Sequence, residues 1–134
     1  VINENNTLYA GTKSGLFLFN EIDNSLTSFS KLDGLSSINI TALHYNDGQL
    51  IVGYNDGNID LITNWEIVNI SDIASASILG DKKINNIFVE NNLAYVSCPF
   101  GIVVIDLDNK EVKETYYLSN DGQLVAFQSL STLS

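Results

Sequence analysis

The sequence predicts an all-β chain of about three four-stranded antiparallel sheets, and three observations predict it. Short runs rich in β-branched and aromatic residues recur along the whole chain. Turn residues separate them: seventeen asparagines and nine glycines stand against one proline, so the chain changes direction often. The third observation is a repeat. With Gly11, Gly53 and Ser97 in one column, Gly15, Gly57 and Gly101 also align, at steps of 42 and 44 residues. Phe17, Ile59 and Val103 follow, then Phe19, Leu61 and Ile105, while Tyr9, Ile51 and Tyr95 precede the first column. Upstream, Ile40 matches Ile84 and Leu43 matches Ile87. A period of about 43 residues carrying four strands is the size of one β-propeller blade. A sandwich would not repeat its apolar columns in this way.

Taken in order, the first unit offers "TLYAGT", "GLFLF" and "SLTSF". The second is the best formed. "INITALHY" reads as its inner strand, apolar on both faces and so expected to lie between neighbouring sheets; "QLIVGY" is the second strand, "NIDLIT" the third and "WEIVNI" the outer one. The third unit offers "KINNIFVE", "LAYVS", "GIVVIDL" and "EVKETYYL". The approximate units are 1–37, 38–81 and 82–134, forming one partial β-propeller domain over residues 1–134. Propellers close with four to eight blades, so about three are expected to be a fragment of a larger ring, or to pair with another chain that covers the open ends. The absence of methionine and the start at Val1-Ile2-Asn3 fit that expectation.

Asn-Asp-Gly occurs at Asn46–Gly48 and again at Asn55–Gly57. Glycine supplies positive φ freely and asparagine tolerates it, so both read as strand connections. A calcium loop needs oxygen ligands at alternate positions and a distant bidentate glutamate, which "NDGQLIVGY" does not offer. A third copy begins at Asn120, 74 residues after the first and out of phase with the repeat.

The formal net charge is -10, all six basic residues are lysine, and there is no arginine. Such a surface repels a phosphate backbone and lacks the forked donor that grips it. Nucleic acid and an anionic membrane surface are therefore not expected partners. No apolar run approaches the roughly 20 residues of a membrane helix, so direct membrane insertion is not expected. Cys98 is the sole cysteine and can form no internal disulfide.

No catalytic, cofactor-binding or metal-binding residue is predicted. His44 stands alone as a histidine, in the column of Phe88, and is expected in the core. Cys98 reads as a turn or packing residue. No nucleophile elbow and no glycine-rich phosphate loop is present. Asp60, Asp106 and Asp108 alternate with apolar residues, which predicts solvated strand faces. Asn5, Asn39 and Asn69 open glycosylation-type triplets, discounted in a bacterial-looking chain. The loops before the inner strands and between second and third strands should share one propeller face. Leu32, Asp33, Tyr54, Asp56, Pro99 and Phe100 lie there, and Tyr54, Asp56 and Phe100 are the candidate partner contacts, the two aromatics either exposed or packed over the turns beneath them.

"LYAGTKSGLFLF" followed by "FSKLDGLSSINITAL" resembles the two-component regulator propeller repeat. "GNIDLI", "GDKKINNIFV" and above all "FGIVVIDLDNKEVKETYYL" resemble the N-terminal β-propeller of PorZ-type proteins of the Bacteroidetes type IX secretion system, over residues 8 to 118. Cys98-Pro99 and the tail from Ser119 depart from that pattern. The resemblance implies a non-enzymatic interaction module without cofactor, exported and held at the outer-membrane cell surface. There it would aid cargo processing and attachment beside other protein subunits, and would meet lipopolysaccharide only through a domain absent from this chain. The alternative is a glycan-sensing periplasmic propeller of a hybrid two-component receptor.

Overall fold

A computed structural model describes residues 1–78, 80–118 and 124–127. Its strands form three antiparallel meanders. The first sheet holds β1 (Ile2–Glu4), β2 (Thr7–Gly11), β3 (Leu16–Asn20) and β4 (Ser25–Phe29). The second holds β5 (Ile40–Asn46), β6 (Gln49–Tyr54), β7 (Ile59–Thr63) and β8 (Glu66–Ile70). The third holds β9 (Asn86–Glu90), β10 (Leu93–Cys98), β11 (Gly101–Asp106), β12 (Glu111–Leu118) and β13 (Leu124–Phe127). The expected three four-stranded sheets are there, with β13 added along β12 as a fifth strand of the last. One helical turn, α1 (Asp72–Ser75), follows the second sheet.

The sheets fan out with β5 beside β1, β2 and β9. Two cores fill the gaps between them. Leu16 and Leu18 meet Leu50, Val52 and Ile62 between the first and second sheets. Ile51 and Leu61 meet Ile87, Val96 and Val103 between the second and third. The second sheet is therefore covered on both faces, and its residues 50–54 and 59–62 are all buried. That is why "QLIVGY" reads as a continuous apolar run.

The glycine column has a steric cause. A Cβ on Gly11 would stand 2.3 Å from Ile40 Cγ2, and one on Gly53 would stand 2.4 Å from Ile84 Cγ2. Ile40 opens the inner strand of the second sheet and Ile84 stands two residues before that of the third, so glycine lets two backbones approach until that side chain lies against the chain itself. The first Asn-Asp-Gly is a two-residue hairpin turn, with Asp47 at φ 47° and Gly48 at φ 80°. The second is a longer loop, closed by Gly57 N–H donating to the Tyr54 carbonyl. The third copy lies outside the described residues at Asn120–Gln123.

Three expectations about strands need correction. Strand β5 is half-buried along most of its length, and β6 and β7 hold the deep positions, because they are the strands sandwiched between neighbouring sheets. The outer strand β8 starts at Glu66; Trp65 belongs to the turn before it. Finally, the repeat columns slip by one in β7. Ala10 faces Phe17 and Val96 faces Val103, but the equivalent Val52 faces Asp60 and not Ile59. The β6–β7 connection is one residue longer than its counterparts, and a one-residue slip exchanges the two faces of a strand.

Candidate functional site

The loop face is assembled by backbone hydrogen bonds, two of them between sheets (Asn39 to Lys13, Ile84 to Tyr54) and two within one sheet. Asn39 N–H donates to the Lys13 carbonyl, Asn55 N–H to Asn39, Ile84 N–H to Tyr54, and Asn85 N–H to Ser97. The connections before β5 and β9 thus meet those after β2, β6 and β10, as the sequence predicts.

Asp60 anchors this end. Far from being solvated, it is 0 % exposed. Its carboxylate accepts from the Tyr54 hydroxyl at 2.6 Å, from Ser36 N–H at 2.9 Å and from the Asn69 amide at 3.2 Å. A buried carboxylate is tolerable only with such donors. The strand sequence puts Asp60 inside; the Ser36 N–H ties the segment before β5 to the second sheet, while Tyr54 and Asn69 bind the carboxylate from within that sheet.

Tyr54 is likewise 0 % exposed, so of its two readings the packed one holds and it is corrected as a candidate surface contact: its ring lies in the first core and its hydroxyl is committed to Asp60. Burial first, then the Asp60 hydrogen bond and charge, push the phenol above the ordinary tyrosine value. Asp56 is exposed at the loop surface. Burial alone would raise its carboxyl, but the Ser37 hydroxyl and the Asn58 backbone and amide hydrogens outweigh that and hold it below the usual carboxylate value. Phe100 is half-buried and stacks on Tyr117 with ring centroids 5.4 Å apart. Pro99 is exposed, and Leu32 is 98 % exposed. Leu32 rides on a short 3-10 turn, Lys31–Asp33, held by Ser30 and Asp33 in a reciprocal cap. The face that meets solvent is thus Leu32, Asp56, Pro99 and part of Phe100, with Tyr54 beneath it.

His44 faces Ile51 in β5 and is half-buried, not a full core residue, because β5 is the less covered strand. Its column partner Phe88 faces Tyr95 and is 57 % exposed. Cys98 is the last residue of β10 and not part of the turn; burial, helped by the nearby charge of Asp81, pushes its thiol up to about 12. A thiol held protonated this strongly is no nucleophile at neutral pH. Asp106, the partly exposed last residue of β11, meets solvent at the strand end and accepts from the backbone of Asp108 and Asn109 to close the next turn, while Asp108 is an exposed turn residue and not on a strand. Among the described residues, no group of three or more His, Cys, Asp and Glu side chains is placed to hold a metal ion. No helix of the described residues is long and apolar enough to cross a membrane.

The sequence reading missed two features. Asp60 escaped because alternation with apolar neighbours normally marks a wet face. Trp65 escaped because an aromatic ahead of "EIV" reads as strand, whereas its φ of 65° places it in a turn.

The family model described as the TSS9 (type IX secretion), PorZ, N-terminal beta-propeller domain matches residues 8–133. The chain belongs to this family. No curated protein sequence matches it. Among solved structures it is similar to PorZ, described as an essential bacterial surface component of the type IX secretion system of Porphyromonas gingivalis. There the identity is 20% and the TM-score 0.77, over 95% of this chain and 20% of that one. It is also similar to the extracellular domain of the putative hybrid two-component system BT3049 from B. thetaiotaomicron, at 10% identity and TM-score 0.64, covering 92% of this chain and 19% of that one. A third likeness is to BamB from Moraxella catarrhalis, at 15% identity and TM-score 0.59, covering 96% and 47%. At these identities the likeness carries the fold. The chain spans about a fifth of the PorZ structure that it matches, and with three sheets it is an unclosed part of a propeller. It is a PorZ-family propeller segment of type IX secretion, a structural and interaction module.

Proposed function

We propose that this chain serves, without catalysis, as a protein-docking module of an exported cell-surface protein that helps the type IX secretion system process and attach its cargo. The family match over residues 8–133 is the observation that carries this reading. The geometry agrees with it: the loop face offers an exposed Leu32 and an acidic Asp56 on rigidly anchored turns, a combination suited to a protein surface. Asp56 and Phe100 are the proposed contacts, and Tyr54 acts through Asp60 by holding the face in shape.

The test uses the full-length protein. Leu32→Lys and Asp56→Lys variants are compared with wild type for recovery of outer-membrane partners and for cargo attachment by the cell. Both should fold normally, recover at least about tenfold less partner and leave cargo unattached. Unchanged recovery and normal attachment in both variants would overturn the proposal.

A further inference from the structure

Four hairpins of this chain share one turn. Asn5-Asn6, Asp47-Gly48, Asn64-Trp65 and Asn91-Asn92 each join neighbouring strands with two residues, at φ of 49° and 62°, 47° and 80°, 49° and 65°, and 53° and 60°. The second position suits glycine or asparagine, and three of the turns have one of them. A tryptophan there is the costly choice, so the turn itself does not explain Trp65. Its indole stacks on Phe29, with centroids 4.8 Å apart and planes 16° from parallel. That stack fixes the ring plane, yet 57 % of the side chain remains accessible.

Trp65 borders a cavity of about 160 Å³ between the first and second sheets, lined also by Tyr9, Tyr45, Asn64, Leu50 and Ile62. Pockets for drug-sized ligands run to roughly 300–1,000 Å³; this one has room for a single ring. No charged side chain lines it. The net charge of -10 disfavours an anion. An organic cation is held tightly in a cage of several aromatic faces, but here Tyr9 and Tyr45 stack on each other at 5.8 Å and Trp65 gives one face to Phe29, so no cage is formed. What remains are lining residues that carry one indole, two phenols and a carboxamide, side chains whose polar groups can donate and accept. A pyranose presents that pattern in reverse: apolar C–H groups on its face and hydroxyls around its rim.

We propose that this cavity binds one neutral hexopyranose, with Trp65 as the platform and Asn64 and Tyr45 as hydrogen-bonding groups. Both walls belong to sheets of this chain, so the site does not depend on what covers the open sides of the first and third sheets. It is also independent of the docking role above.

Saturation-transfer NMR on the full-length protein, with D-glucose, D-galactose, D-mannose and N-acetylglucosamine as probes, tests the site. At least one should bind saturably. Trp65→Gly, which restores a favoured turn residue, should weaken it at least about tenfold while the thermal midpoint holds; Trp65→Phe should retain most of the affinity. Tyr45→Phe, which removes only a hydroxyl, should weaken binding severalfold, and it decides the matter if Trp65→Gly fails to fold. Saturation by none of the four sugars, binding indifferent to both Trp65→Gly and Tyr45→Phe, or binding of tetramethylammonium in place of sugar would each overturn the proposal.

Discussion

The second and third sheets follow one repeat, yet they live in different surroundings. The second is covered by a sheet on either side, and residues 59–62 of its third strand are all buried, Asp60 among them. Among the described residues the third has a neighbouring sheet on one side; its third strand β11 is still buried at 103–105, but on its inner strand β9 burial alternates, leaving Phe88 57 % exposed where the equivalent His44 of β5 is half-buried. Similar strand sequences thus come to rest in different amounts of water. What decides the burial of a residue in a fan of sheets is the number of neighbouring sheets as much as its own pattern.

The largest effect expected from this comparison lies in the second sheet. Leu61→Ala should destabilise by about 3 kcal/mol, because the site is sealed on both sides and cannot collapse. Leu26→Ala, on the outer strand of the first sheet at 66 % exposure, should stay within about 0.5 kcal/mol. Urea unfolding reads both, and equal losses would break the contrast.

Tyr54→Phe should cost about 1–2 kcal/mol by removing one donor from buried Asp60. Its pH signature has a definite sign. The folded state holds the Tyr54 proton more tightly than the unfolded chain, whose phenols titrate at about 10. The contribution is therefore complete below that pH and is lost as pH climbs above it. Between roughly pH 9 and 11 the wild-type melting temperature should fall more steeply than that of Tyr54→Phe. Parallel slopes would mean that the phenol is not held as described.

The smallest effect is a silence. Buried Cys98, its thiol pushed up to about 12, should ignore a disulfide reagent at neutral pH until the protein is denatured. Rapid labelling of the native protein would show that the gap between the second and third sheets opens.

Much of the fold was legible because its rules are steric. A glycine that receives an isoleucine, or a turn that needs positive φ, leaves a mark in the letters, and Gly11, Gly53 and Gly48 leave such marks. Asp60 was illegible because its alternation with Ile59 and Leu61 looks the same whether the face meets water or a second sheet. The one-residue slip of β7 was hidden as well, since Gly53 to Ile59 and Gly11 to Phe17 have the same spacing in the sequence and the shift lies in the pairing alone. Tyr54 carried no sequence signal separating exposed from buried; its partner stands six residues on, across a loop.

Successive sheets meet at the contact between Gly53 and Ile84, where one sheet's glycine receives the segment leading into the inner strand of the next. A double-mutant cycle measures it. Gly53→Ala alone puts a Cβ 2.4 Å from Ile84 Cγ2 and should destabilise by about 2 kcal/mol. In an Ile84→Gly background, which removes the Ile84 Cβ at 2.7 Å as well as Cγ2, the added Cβ meets far less, so the two changes should couple by at least about 1 kcal/mol, the double variant being more stable than the sum predicts. Strict additivity of the two would contradict the arrangement of successive sheets described for this chain.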